Sequence, residues 1–305
     1  MTRGLPCFAT DFAYVGVNNA TSGGIVTRTR SIRPLVFIAF LAIALMAALQ
    51  TRAADRDRLD AFLEVTGFGV ALDSIALAAG DAPAMLGMQA SDFGSDWSRV
   101  SKDVFDTEKM QTMALDILSE TLSDEHLTHA AEFYASPLGQ RLVEAENASH
   151  MVEDDEAKQQ QGRALVAEGV EQGDERIETL QNLNQAVDSD GNSVRAVQEI
   201  QVRFLMAASN AGILNQEVDE DALRAAMKAG EEEMRMTMKA GALANAAYTY
   251  QDFSNGELKE YLAALEHPDM QTVYQLMNAV QYEIMANRFE VLASRMAEMH
   301  PGQEL

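Results

Sequence analysis

The chain is predicted to be all-α, and three observations predict it. Its apolar residues recur at steps of three and four rather than two. Its 305 residues include only six prolines, and no sustained run of β-branched residues interrupts them. Ala, Leu, Met, Glu and Gln are abundant, and these unbranched side chains lose little rotamer freedom in a helix. With 47% hydrophobic residues the chain has material for one large core or two modest ones.

Taken in order, Phe62, Val65, Phe68, Leu72 and Ile75 share one helical face that needs a partner. Trp97, Val100, Val104, Met110, Met113, Ala114, Ile117 and Leu118 predict a second long helix, entered through Ser95 or Asp96, with Trp97 as a core anchor. Ser123 is placed to cap a short helix carrying Leu127, Ala130, Ala131 and Tyr134. Ser136-Pro137 then starts another helix, because proline's missing N–H falls where an N–H would be unpaired anyway. Two helices therefore meet at a tight corner, and Gly139, just past it, leaves room for a second helix to come close.

A second corner follows at an offset of 131 residues. Ser254 and Glu257 form a capping box, Leu258, Tyr261, Leu262 and Leu265 form the apolar face, and His267-Pro268 begins the next helix. Ser123, Leu127, Pro137 and Gln140 have identical counterparts in Ser254, Leu258, Pro268 and Gln271. This predicts two diverged helical repeats, residues 55–187 and 188–305, packed as an array or bundle.

Between the corners, residues 145–192 are polar and acidic but compatible with helix, and the break is expected at Asp188–Asn192. Helical spacing resumes at Val194, Val197, Ile200, Phe204 and Ala208, stops at Gly212, and returns after Asp219 through Leu223 and Met227. The last helix is expected to carry Val273, Met277, Val280, Ile284 and Val291 on one side.

Ahead of all this, Arg28, Arg30 and Arg33 precede an apolar run from Pro34 to Leu49, followed by small residues at Ala53 and Ala54. Sixteen helical residues reach about 24 Å, short of a roughly 30 Å hydrocarbon core. Residues 28–54 are therefore read as a cleaved signal peptide, giving a periplasmic protein exported by the general secretion route. An uncleaved 34–49 segment holding the chain to the inner membrane is the alternative. Residues 1–27 are read as an unstructured or untranslated extension.

Removing residues 1–53 leaves 18 basic against 46 acidic residues, a balance of −28. Such a surface repels phosphate backbones, so nucleic acid is not an expected partner, and the membrane is met only through the N-terminal segment. The single cysteine, Cys7, lies ahead of the apolar run, which excludes thiolate chemistry and disulfides from the exported part.

The run Leu122-Ser-Asp-Glu-His-Leu127 followed by Phe133-Tyr134-Ala135-Ser136-Pro137-Leu138-Gly139-Gln140 resembles the core motif of domain-of-unknown-function family 2059. The region from Asp96-Trp97 to Met110 and the second corner are similar to longer members, with Met270 standing where the family tends to glycine. The resemblance implies an exported helical protein of bacteria with a Gram-negative envelope, and no reaction.

Candidate chemistry is sparse. His126 and His129 are one turn apart, with Glu125 or Glu132 in reach, and are read as a solvated polar face rather than a metal site. Met234, Met236 and Met238 are read as core filler. Asp188, Asp190, Gly191 and Asn192 are read as a turn and cap, since calcium-loop register would put Ala186 and Val197 at ligand positions. His150 and His300 are read as surface residues. No hydrolase elbow, phosphate loop, dinucleotide fingerprint or zinc-protease motif is present in the sequence. No cofactor is predicted. The expected role is a noncatalytic binding or interaction module whose partner is an envelope protein or a small apolar ligand in a groove; the alternative is an enzyme using groove carboxylates. The residues singled out are the corner residues Ser123, Tyr134, Ser136, Pro137, Gly139, Ser254, Glu257 and Pro268.

Overall fold

A left-handed glycine and an aspartate cap cut the first third of the chain into shorter helices than its apolar spacing suggests. In the computed structural model, which describes residues 55–214 and 217–299, α1 (Arg56–Val65) is capped by Asp55 and followed by Gly67 at φ +70°. That torsion lies outside any right-handed helix, so α2 (Phe68–Ala78) starts anew. The stripe from Phe62 to Ile75 is thus two helices, and Val65 is 46% exposed instead of facing the core. Residues 28–54 and His300 lie outside the described residues.

Two 3-10 segments, Ala79–Leu86 and Ala90–Phe93, lead to α3 (Trp97–Val104). Trp97 is a core anchor as expected: its ring lies against Phe93, and its indole N–H donates to the Gly80 carbonyl at 2.8 Å. The expected single long helix breaks here. Asp106 adopts extended torsions and accepts the Lys109 backbone N–H at 2.9 Å, starting α4 (Thr107–Thr121). An aspartate that satisfies an orphan N–H favours a new helix start over continuation.

The first corner joins α5 (Asp124–Tyr134) to α6 (Pro137–His150). Then come α7 (Asp155–Gln172), α8 (Arg176–Val187), α9 (Ser193–Asn210), α10 (Glu220–Ala229) and α11 (Glu231–Thr249). The second corner joins α12 (Asn255–Leu265) to α13 (Pro268–Met299). The break at 188–192 falls where expected: Gly191 has φ +61°, and the Asp188 carboxylate accepts the Asn192 N–H at 3.0 Å and the Ser193 hydroxyl at 2.6 Å. No strand occurs among the described residues.

The corners share a backbone path. Ser123 (φ −76°, ψ 153°) and Ser254 (φ −72°, ψ 157°) both cap eleven-residue helices, and those helices end on Ala135 (−75°, −13°) and Glu266 (−76°, −9°). At the first corner the Ser136 hydroxyl accepts the Gly139 N–H at 3.0 Å. A Cβ on Gly139 would lie 2.3 Å from the Phe133 carbonyl oxygen, so the helix that approaches it is the preceding one, α5. The second corner carries a fully buried Met270 at the matching position.

One apolar cluster runs from Leu59 to Met296 and draws on both halves. At 32 residues, α13 is about 48 Å long, and it packs against α4 and α5 from the first half and α9 from the second. The expected stripe is there, with Val273, Val280 and Ile284 buried and Met277 and Val291 half-buried, and it is widened by Tyr274, Met285, Phe289 and Leu292, while Gln275, Glu283, Ser294 and Arg295 stay exposed. The other close pair is α7 on α11, where a Cβ on Gly162 would lie 2.0 Å from the Ala244 carbonyl oxygen. Met238 is buried beside Val194 and Val197 with Met234 packed against them, while Met236 is 65% exposed and fills no core.

The stretch Phe68–Leu86 is, among the described residues, long and apolar enough to cross a membrane. Leu72 and Ile75 within it have no exposed surface, and α4 packs against α2.

Candidate functional site

The corners are locked together by a buried chain of hydroxyls ending on one carboxylate. Tyr134, closing α5, meets the hydroxyl of Tyr274 on α13; Tyr274 meets that of Tyr261 on α12 at 3.2 Å. Tyr261 donates to Glu146 Oε1 at 3.1 Å, and Tyr250, just after α11, donates to the same oxygen at 2.7 Å. Glu146 belongs to the inward register of α6 with Gly139, Leu142, Val143 and Ser149. Part of its surface remains exposed, yet its carboxyl lies beneath the tyrosines. Burial raises the carboxyl above its usual range, and the two tyrosine hydrogen bonds pull it partly back. Burial also holds the Tyr134 and Tyr261 phenols well above their usual range, so both stay neutral donors.

A second polar cluster lies further along the same helix. Lys158 on α7 is buried, pairs with Asp155 at 2.9 Å and donates to the Ser149 carbonyl at 3.2 Å. Thr249 donates to the Ser149 hydroxyl at 2.8 Å. His150 is a correction: expected at the surface, it is largely withdrawn from solvent, and burial followed by the Lys158 cation pushes its imidazole down to about 4.

At the outer rim each corner reaches into the other. His126, third residue of α5, points Nε2 at Asp269 Oδ1, 3.7 Å away near the start of α13. Glu257, third residue of α12, pairs with Arg141 near the start of α6. The capping box expected at Ser254 and Glu257 is present, with the Ser254 backbone N–H donating to Glu257 at 2.8 Å. Those hydrogen bonds and Arg141 hold Glu257 down at about 2. His129 stacks on His267, ring centroids 4.2 Å apart. One ligand atom from each of His129, His267 and Asp269 lies within 4.8 Å of the others. The face of His126 and His129, read as solvated, is instead half-buried against the second corner.

The clefts lie elsewhere. One of about 570 Å³, beside α9, α10 and α11, is lined by Arg195, Gln198, Arg224, Lys228, Glu231 and Arg235 with Gly191. Arg224 is bound by Glu199 at 2.6 Å and Glu220 at 2.8 Å, and Arg235 by Glu231 at 2.6 Å. Among the described residues Arg195 meets only the Asn192 side chain, and Lys228 has no ion pair. A second cleft of about 560 Å³ shares Arg224 and is walled by Glu199, Arg203 and Glu290. Arg203 there forks between Glu283 at 2.9 Å and Glu290 at 2.7 Å.

Of the corner residues singled out, Ser123, Ser136, Ser254 and Glu257 make capping contacts, Pro137 and Pro268 open their helices, Gly139 takes the close approach, and Tyr134 enters the hydroxyl chain. Sequence reasoning missed Glu146, Lys158 and the union of His129 with His267. Glu146 and Lys158 leave a trace, as polar residues in buried registers; the histidine contact spans 138 positions and leaves none.

Residues 108–168 match the family described as Uncharacterized protein conserved in bacteria (DUF2059), the family whose motif the first corner resembles. The match covers α4 to most of α7 and stops before the second corner. No curated protein and no solved structure matches the chain.

Proposed function

We propose, from a chain whose first corner matches an uncharacterised bacterial family, that this is an exported, noncatalytic binding module of the periplasm. Its cleft beside α9, α10 and α11 receives an anionic group of an envelope protein or small ligand. The observation that carries this reading is the pair Arg195 and Lys228: two exposed cations, free of carboxylates among the described residues, lining one cleft on a chain with 47 acidic against 23 basic residues. On such a surface free cations are out of place unless an anion uses them, and a concave site concentrates their field. A small apolar ligand would meet guanidinium and ammonium walls there.

The enzyme alternative needs two free acids sharing a cleft, and the three that line the second cleft, Glu199, Glu220 and Glu290, are each tied to Arg224 or Arg203. Glu146 is taken by tyrosines and Asp155 by Lys158, and neither lines the clefts. The two corners, with common cap torsions and contacts reaching from each into the other, are read as diverged copies of one unit.

Calorimetric titration of the full chain with inorganic phosphate and with citrate at low salt tests the cleft. Saturable binding with Kd below about 1 mM is expected, weakened at least about tenfold in Arg195→Ala/Lys228→Ala; heats that never saturate up to about 10 mM would overturn the reading. Both side chains are exposed, so the variant folds. Export rests on residues 28–54, and cell fractionation checks it: recovery in the soluble periplasmic fraction supports it, while a carbonate-resistant membrane pellet favours the anchored alternative.

A further inference from the structure

We propose that His129, His267 and Asp269 bind one divalent transition-metal ion at the junction of the two corners, with His126 as the fourth ligand. The site is set apart from the anion cleft and does not depend on it.

Geometry carries the argument. A nitrogen or carboxylate oxygen from each of the three residues already lies within 4.8 Å of the others. Tetrahedral bonds of about 2.0–2.1 Å place ligand atoms roughly 3.4 Å apart, so closure needs a contraction of up to about 1.4 Å. His267 supplies it most readily, being an exposed residue in the two-residue connection before α13. Asp269 sits between histidines, with Oδ1 3.7 Å from His126 Nε2 and Oδ2 3.7 Å from His267 Nδ1.

His126 is already oriented. Its Nδ1 lies 2.9 Å from the Ser123 hydroxyl, the same group that caps α5. An Nδ1–H donating to that oxygen leaves Nε2 as a lone pair directed at Asp269. Fixing one ring nitrogen so that the other can ligate is the usual outer-sphere device of histidine metal sites. Two histidines and one carboxylate thus form the cluster, and a third histidine, His126, faces that carboxylate from 3.7 Å. Three imidazoles and one carboxylate suit Zn(II), Ni(II) or Cu(II), whereas calcium and magnesium favour all-oxygen sets. The surrounding negative charge favours a cation and disfavours none of these ligands. Because the ligands come from α5 on one side and from the entry of α13 on the other, the ion would clamp the first corner to the second.

The test is calorimetry on the full chain without an affinity tag, using Zn(II), Ni(II) and Cu(II) in turn. One ion per chain with Kd below about 1 μM is expected for at least one metal. His267→Gln and Asp269→Asn should each weaken it by at least about tenfold, and each should abolish the metal-dependent rise in Tm. Co(II) should give the intense visible bands of a tetrahedral nitrogen–oxygen site, absent in His129→Gln. Glu125→Gln and Glu132→Gln should leave affinity within about twofold. Binding no tighter than about 10 μM for all three metals would overturn the proposal. So would full affinity in His267→Gln and Asp269→Asn, or a loss confined to the Glu125 and Glu132 variants. His267 is exposed and Asp269 partly so, and circular dichroism of each variant separates lost ligation from lost fold.

Discussion

The Tyr134 hydroxyl is hydrogen-bonded to the Tyr274 hydroxyl across 140 residues of sequence, deep beneath the two corners. Both tyrosines are buried, and the Tyr274 hydroxyl also meets that of Tyr261 at 3.2 Å. Tyr134→Phe and Tyr274→Phe should each cost about 1–3 kcal/mol. The double variant should cost less than the sum by about 1 kcal/mol, because the two changes remove one shared contact. Urea unfolding of all four species measures this, and additivity within about 0.3 kcal/mol would show the hydroxyls to be energetically independent.

Gly162 should reverse the usual helix rule. An alanine in place of an interior helical glycine normally stabilises by up to about 1 kcal/mol. Here its Cβ would press 2.0 Å from the Ala244 carbonyl oxygen, and α7 must part from α11. Gly162→Ala is expected to destabilise by about 1–3 kcal/mol. Gly69→Ala in α2, where nothing lies within 4 Å of the new methyl group, should be neutral to stabilising by roughly 0.5 kcal/mol. Thermal unfolding distinguishes the signs.

Lys158 is a buried cation held by Asp155 and the Ser149 carbonyl. Lys158→Met removes the cation from beside Asp155 and should destabilise by about 3 kcal/mol or more. Adding Asp155→Ala removes the stranded charge and should recover part of that loss. If the double variant were the less stable of the two, the buried pair would not be the source of the effect.

Acid should weaken the fold through His150. Burial and Lys158 depress its imidazole from 6.5 to about 4. Between those values the unfolded chain binds a proton that the folded chain refuses. The contribution is complete above about pH 6.5, falls as pH is lowered and is exhausted near pH 4, with an upper bound of roughly 3 kcal/mol. Glu146 has the opposite sign: its raised carboxyl favours the fold at low pH, and that support fades as pH rises from 4.5 through the raised value. His150→Gln should flatten the loss of stability between about pH 6.5 and 4 in denaturant titrations. An acid limb unchanged in that variant would assign the loss to other groups.

The caps and corners were legible because their signals are local. A serine before a short apolar stripe, and a proline at a helix start, act within four residues, and both corners fold as the spacing predicts. Helix ends inside continuous stripes were harder to read. Gly67 and Asp106 interrupt sequences whose apolar spacing runs on unbroken, and only torsions and capping bonds decide them. On α13 the stripe Val273, Val280 and Ile284 was legible, but its widening through Met285, Phe289 and Leu292 was not, because it comes from neighbours distant in sequence. The polar sites were the least legible. Glu146 acquires its meaning from Tyr250, 104 positions on, and His267 from His129 in the other corner, and no periodicity encodes such contacts.

That α13 is the last described helix sets an order of events during synthesis. Ribosomes deliver α1 to α12 before the segment that fills the middle, so Leu118, Leu127 and Phe204 wait without their innermost neighbour until residue 268 and beyond emerge. Until then the apolar faces that α13 covers have no partner, the kind of surface that holdase chaperones and proteases recognise. Any premature stop ahead of Pro268 would forfeit the whole assembly, not merely its final part.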